Sequence, residues 1–141
     1  MKNVLLMSLV TAVVAPLPAM GGGCELGLLG TAWVASRYQQ SQKAYAPQHP
    51  ATLTIMATGL SGRGGCNTYQ AGVQSPAPGQ LAVGSIAATK MFCAESQQEE
   101  DDFFDILSRA SRFDISFDGQ TLVLSDSDNG GYAITLTRVA R

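Results

Sequence analysis

The sequence predicts a mainly β fold: a small curled antiparallel sheet, or partly closed barrel, of about seven strands with one packed α-helix. Three observations carry this. Short segments alternate apolar and polar residues with a period of two and are separated by turns rich in Gly, Pro and Asp. One segment, "AESQQEEDDFFDILSRASRF", instead repeats apolar residues at helical spacing. Between the early strands, Gly62, Gly64 and Gly65 suit a sharp bend where a sheet turns over itself.

Each element follows in order. "TAWVASRY", Thr31 to Tyr38, reads as the first strand, with Trp33 as a core anchor. Gln39 to Pro50 is polar, twice interrupted by proline, and is expected to be a loop. In "ATLTIMA", Leu53 and Ile55 share one face of a strand. Cys66 to Val73 alternates again, with Asn67, Tyr69, Ala71 and Val73 on one face. After the loop "QSPAPGQ", "LAVGSIAATKMFC" returns as extended chain.

The helix is expected from about Glu99 to Ser111, with Ser96 and Glu99 spaced as a capping box. Phe103, Ile106, Leu107 and Ala110 form its buried stripe, and Asp105 pairs with Arg109 one turn on. Acidic residues Glu100, Asp101 and Asp102 suit the first turn, where exposed amides favour negative charge. Phe113, Ile115 and Phe117 alternate up to Asp118-Gly119, and Leu122 and Leu124 alternate after it, which is a hairpin. "SDSDNGG" is a turn, and Tyr132, Ile134 and Leu136 line one face of a last strand.

The N-terminus has a different character. Lys2, an apolar run from Val4 to Ala15, and small residues up to Cys24 have the order of an exported protein's signal peptide. Residues 1–23 are expected to be a signal peptide of lipoprotein type, 24–28 a short tether and 29–141 the domain. Cys24 is the expected lipidation site, which makes the membrane a partner through an N-terminal lipid. Gly21 stands where such sites usually carry a larger apolar residue. The competing readings are a soluble secreted or periplasmic protein and an uncleaved anchor, and the run is short for the latter. Because Glu25 is not Asp, the expected destination is the periplasmic face of the outer membrane.

Charge and cysteine content narrow the classes further. Lys+Arg number 9 against 11 Asp+Glu; removing Lys2 leaves 8 against 11, a balance of −3, with no basic run for nucleic acid. Cleavage before Cys24 leaves 118 residues, the size of one domain. With Cys24 carrying lipid, the 3 cysteines leave Cys66 and Cys93 as a pair for a disulfide in an oxidising compartment. The alternative is two separate thiols packed as small hydrophobes.

The strings "GRGGCNTYQAGV" and "LAVGSIAATKMFCAE", followed by a helix and "QTLVLSD", resemble the META/HslJ family of small bacterial envelope domains. Gly65, Cys66 and Asn67, with Thr89, Met91 and Cys93, carry the resemblance, and Trp33 matches the tryptophan of that family's first strand. It covers about Leu29 to Val139, with a longer Gln-rich loop after the first strand and Phe92 at a position where a small residue is commoner. It implies a lipoprotein or secreted protein linked to heat shock, antibiotic tolerance or virulence, with no established enzymatic activity. The expected function is therefore non-catalytic: contacts with an unidentified envelope protein, or envelope maintenance under stress.

Chemical sites are weakly supported. His49 is the single histidine. A Cys66–His49 dyad lacks an orienting third group, and Cys66, Cys93 and His49 lack the short spacing of a zinc site. No metal or cofactor is expected. The alternative function is a small apolar-ligand binder using the mouth of the curled barrel, with Tyr69, Tyr132 or Met91 as expected lining.

Overall fold

The computed structural model describes residues 28–126 and 131–139. Residues 1–23, expected to be a signal peptide, and Cys24 lie outside the described residues, as does the middle of the "SDSDNGG" segment. A single sheet of nine antiparallel strands curls into a partly closed half-barrel around one helix. In chain order these are β1 (Ala32–Gln40), β2 (Lys43–Tyr45), β3 (Thr52–Met56), β4 (Gly59–Arg63), β5 (Thr68–Gln74) and β6 (Ala82–Ala88). Helix α1 (Gln97–Arg109) follows, then β7 (Arg112–Ile115), β8 (Thr121–Ser125) and β9 (Ala133–Arg138). The order across the sheet is β6-β5-β4-β3-β1-β9-β8-β7, with β2 paired to the far end of β1.

Two strands depart from the expected count of about seven. The segment Gln39–Pro50 is not all loop, because β1 reverses into β2 through Ser41 and Gln42, with Gln40 facing Lys43. Ser41 takes a φ of 55°, as two-residue hairpins require, although Ser-Gln lacks the usual Asn-Gly or Asp-Gly signal. Of the glycines after Met56, Gly64 and Gly65 form the expected bend between β4 and β5, while Gly59 and Gly62 lie in a strand, since β4 pairs Ser61 with Thr54 and Leu60 with Ala71. Gly62 is needed there because its φ is 154° and a Cβ would overlap the Thr52 carbonyl.

Bulges supply the curl. The β1–β9 register slips between Ala35 and Arg37, and the β5–β6 register between Ala71 and Val73, each bending its strand. The outer strands then approach each other. Phe113 donates its N–H to Gly79 O at 3.0 Å, Leu81 donates to Ser111 O at 3.0 Å, and Gln80 bridges Arg112. The seam joins only at that point, which is why the barrel is partly closed.

The helix begins two residues earlier than expected and buries the expected stripe. Phe103, Ile106 and Leu107 are fully buried and Ala110 nearly so, packed with Trp33, Tyr38, Leu53, Ile134 and Leu136. Asp105 pairs with Arg109 at 3.1 Å. The capping box does not form: Ser96 makes no side-chain cap, and the Glu99 carboxylate accepts the Gln48 N–H at 3.0 Å and the His49 N–H at 2.7 Å. Phe117 also departs from its expected alternation, since β7 ends at Ile115 and Phe117 stands fully exposed in the turn to β8.

Candidate functional site

The motif residues gather at the end of the barrel that α1 covers. Cys66 and Cys93 form a disulfide with Cα atoms 6.0 Å apart. By loop-closure entropy such a link stabilises by roughly 3–4 kcal/mol. Beside it, the Asn67 side chain bonds across the fold rather than within its own turn. Its Oδ1 accepts the Met91 N–H at 2.7 Å and the Thr89 hydroxyl at 2.9 Å, and its Nδ2 donates to Met91 O at 3.0 Å. Gly65, Cys66 and Asn67 are thus stitched to Thr89, Met91 and Cys93 by both covalent and hydrogen bonds.

A third party holds this seam to the helix. Glu100, 2% exposed, accepts the N–H groups of Cys66 at 3.0 Å and Asn67 at 2.6 Å, and the Asn67 side-chain amide at 2.7 Å. Gly64 lets it come so close: a Cβ there would stand 2.9 Å from Glu100 Oε2 and 2.8 Å from Phe104 Cζ. Neighbouring acids reach other segments. Asp102 accepts the Tyr45 hydroxyl and lies 3.3 Å from the Lys43 ammonium, while Glu99 holds the β2–β3 loop. Glu99 and Glu100 lie in the first turn of α1. Beyond that placement, Glu99, Glu100 and Asp102 fasten α1 to three separate segments. Glu100 precedes Phe103 by three residues and Leu107 by seven, so extending the apolar stripe back one turn would have placed it inside.

Three tyrosine hydroxyls face this helix-covered region. Tyr38 and Tyr69 are raised above the ordinary phenol value of 10.0 chiefly by burial, and Tyr45 by burial and then by the Asp102 carboxylate it bonds. Tyr69 donates to Thr52 O at 2.8 Å, and Tyr38 accepts the Ala51 N–H at 3.1 Å. The three close the packing between sheet and helix.

The reactive readings do not assemble. Both sulfurs are consumed in the disulfide, so neither a free nucleophile nor thiolate ligands remain among the described residues. His49 Nδ1 lies 3.7 Å from Glu99 and Nε2 lies 3.9 Å from Glu95. No group of three or more His, Cys, Asp or Glu among the described residues could hold a metal ion.

The opposite end of the barrel is open. An apolar cavity of about 140 Å³ lies between the β3–β5 wall and the β7–β8 wall, lined chiefly by Leu53, Ile55, Leu60, Val73, Phe113 and Leu124. Leu28, Leu29 and Met56 form its rim. The expected mouth residues are elsewhere: Tyr69 is buried against α1, Met91 belongs to the Asn67 seam, and Tyr132 lies under the Arg109 guanidinium at 4.3 Å. The cavity was illegible because β4, which supplies Leu60, was not read as a strand.

Residues 26–139 match the META domain family. The chain belongs to that family. The fold is similar to an NMR structure of a protein from Burkholderia xenovorans, with a TM-score of 0.70 and 27% identity, covering 94% of this chain and 97% of that one. A second NMR structure, 19% identical with a TM-score of 0.57 and covering 79% of this chain and 92% of its own, shares the fold. No curated protein matches. META domains are non-catalytic. Fold and family point to a periplasmic or envelope-associated domain, and among the described residues no helix is long and apolar enough to cross a membrane.

Two predictions follow from the covered end. Asn67→Ala strands the Met91 backbone groups and removes a donor from the buried Glu100 charge, so it should cost about 3–5 kcal/mol in urea melts. Asp101→Ala, on the exposed side of the same turn, should stay within about 0.5 kcal/mol; equal losses would contradict the seam. Raised phenol values also set a pH dependence. Above pH 10 the unfolded chain releases protons that folded Tyr38, Tyr45 and Tyr69 retain. Their stabilising contribution is fully present below pH 10 and is lost as pH rises beyond it. The urea midpoint should hold up to about pH 9.5 and fall between about pH 10 and 12, and fall less in Tyr45→Phe.

Proposed function

We propose that this META domain is a non-catalytic envelope protein that takes a small apolar ligand, or the end of one apolar chain, into the open mouth of its half-barrel. The observation that carries this reading is the cavity opposite α1. Among the described residues that line it, Ser75 is the one with a polar side chain and none has an ionisable side chain. Its volume of about 140 Å³ is close to that of cavities that accept benzene. A site of this kind selects neutral, apolar matter and discriminates weakly within that class. Benzene, and decanoate as a single-chain probe, should raise the melting temperature of the protein saturably by a few degrees. Val73→Phe, which fills the space, should abolish the shift; no shift with wild type, or an undiminished one in the variant, would overturn the reading.

Exposure at the other end supports a second reading, action through protein contacts. Met91 and Phe92 are 57% and 76% exposed beside the disulfide. They are large apolar groups that the core does not use, next to β6, an outer strand of the sheet.

Attachment to the membrane through lipidated Cys24, with residues 1–23 removed as a signal peptide, completes the proposal. It rests on the order of charged, apolar and small residues before a cysteine. Placement on the periplasmic face of the outer membrane follows from Glu25, with a soluble periplasmic form as the alternative. Labelled palmitate should enter the wild-type protein and not Cys24→Ser; unlabelled wild type would remove the anchor from this account.

A further inference from the structure

Six large apolar side chains are exposed among the described residues, and Met91 and Phe92 lie at the α1 end. The remaining four, Leu29, Met56, Phe117 and Val139, belong to segments that are separate in sequence and meet at the open end. The Gly30 N–H bonds Ile55 O at 2.7 Å, which sets Leu29 beside the β3–β4 turn that follows Met56. Val139 donates to Ala32 O at 2.8 Å, beside the start of β1. Arg138 donates to Gln120 O at 2.9 Å, which brings the β7–β8 turn and its fully exposed Phe117 to the same place. Leu29 and Met56 are also on the cavity rim.

We propose that this apolar rim docks onto a lipid bilayer, so that the cavity mouth faces the membrane and the α1 end faces away from it. The N-terminal chain departs from the domain here, at Leu28, on the rim itself. Cys24 and the apolar run from Val4 to Ala15 lie just upstream. Four residues of extended chain reach at most about 14 Å, so attachment at Cys24 holds this end, rather than the α1 end, near the surface. The rim's charges suit an uncharged interface. Asp118, whose carboxyl is held below its ordinary range by the Ser116 hydroxyl and Gln120 N–H, sits in the turn that Arg138 flanks. An exposed Phe on a tight turn, with aliphatic neighbours and a balanced acid and base, is matched by the interfacial layer of a zwitterionic bilayer. The inference rests on membrane attachment upstream of Leu28 and does not require a ligand in the cavity.

The test places a reporter at each end. The full chain, Phe117→Trp and Phe92→Trp are purified from membranes and reconstituted into phosphatidylcholine vesicles with brominated acyl chains. Trp33 is fully buried and gives a constant background. Both substituted sides are exposed, so folding is preserved, which wild-type-like melts verify. Emission of Phe117→Trp should fall about twofold relative to unbrominated vesicles, with Phe92→Trp and wild type nearly unchanged. Equal quenching at both positions, quenching at Phe92→Trp alone, or no quenching at either would overturn the orientation. Failure of the full chain to float with the vesicles would overturn it too, while leaving apolar ligand binding to its own experiment.

Discussion

The buried carboxylate of Glu100 is the constraint on which the covered end of this domain depends. A charge taken out of water is expensive, and it is tolerated only when the surrounding donors replace its hydration. Here Cys66 N–H, Asn67 N–H and the Asn67 amide do so. Those donors belong to the β4–β5 connection, so the helix cannot settle until that loop has its native form. Asn67 in turn needs the chain around Met91, which the disulfide brings to Cys66. Helix, loop and the segment after β6 are thus fixed by one set of mutually dependent bonds, and a fault in one member exposes unpaired groups in the others.

This dependence gives the half-barrel two unlike ends. At one, polar groups from α1 meet backbone amides and hydroxyls, and aromatic rings fill the space, with Tyr69 and Phe103 centroids 5.4 Å apart. At the other, nothing polar is contributed to the interior beyond Ser75, and the strands end in short turns over an apolar hollow. A curled sheet has two mouths, and one helix can stop only one of them. The distinctive sequence motif is therefore part of what closes the end that α1 covers, and its cysteines, amide and hydroxyl are engaged in that closure.

The sequence made the architecture legible wherever a simple period was uninterrupted. The stripe Phe103, Ile106, Leu107 and Ala110, the buried Trp33 and the β7–β8 hairpin all follow from spacing alone. Reading failed where the pattern was overwritten by another requirement. In β4, Gly59 and Gly62 stand in a strand because neighbouring backbones leave no room for side chains, and that crowding is a tertiary fact. Ser41 turns a hairpin without a turn-forming dipeptide, so β2 was hidden inside a polar segment. Asn67 is an acceptor and donor for chain more than twenty residues away, and only the fold supplies those partners. Glu100 was the most recoverable miss, because a carboxylate in phase with an apolar stripe is either an error of register or a buried anchor.

The same logic bears on the open end. A sequence with a core this small has few apolar residues to spare, and exposed ones cost solubility unless covered. Leu29, Met56, Phe117 and Val139 are placed at four separate chain positions, yet backbone bonds bring them to the rim from which the N-terminal chain departs. The other two exposed large apolar side chains among the described residues, Met91 and Phe92, lie at the α1 end. The coincidence of the first four with the cavity mouth joins two features in one surface, an apolar interior and an apolar border. A carrier whose mouth opened toward water would have to draw its ligand through the phase in which that ligand is scarcest. In the orientation we propose, facing the bilayer would remove that step, and the seam around Glu100 would keep the opposite end closed.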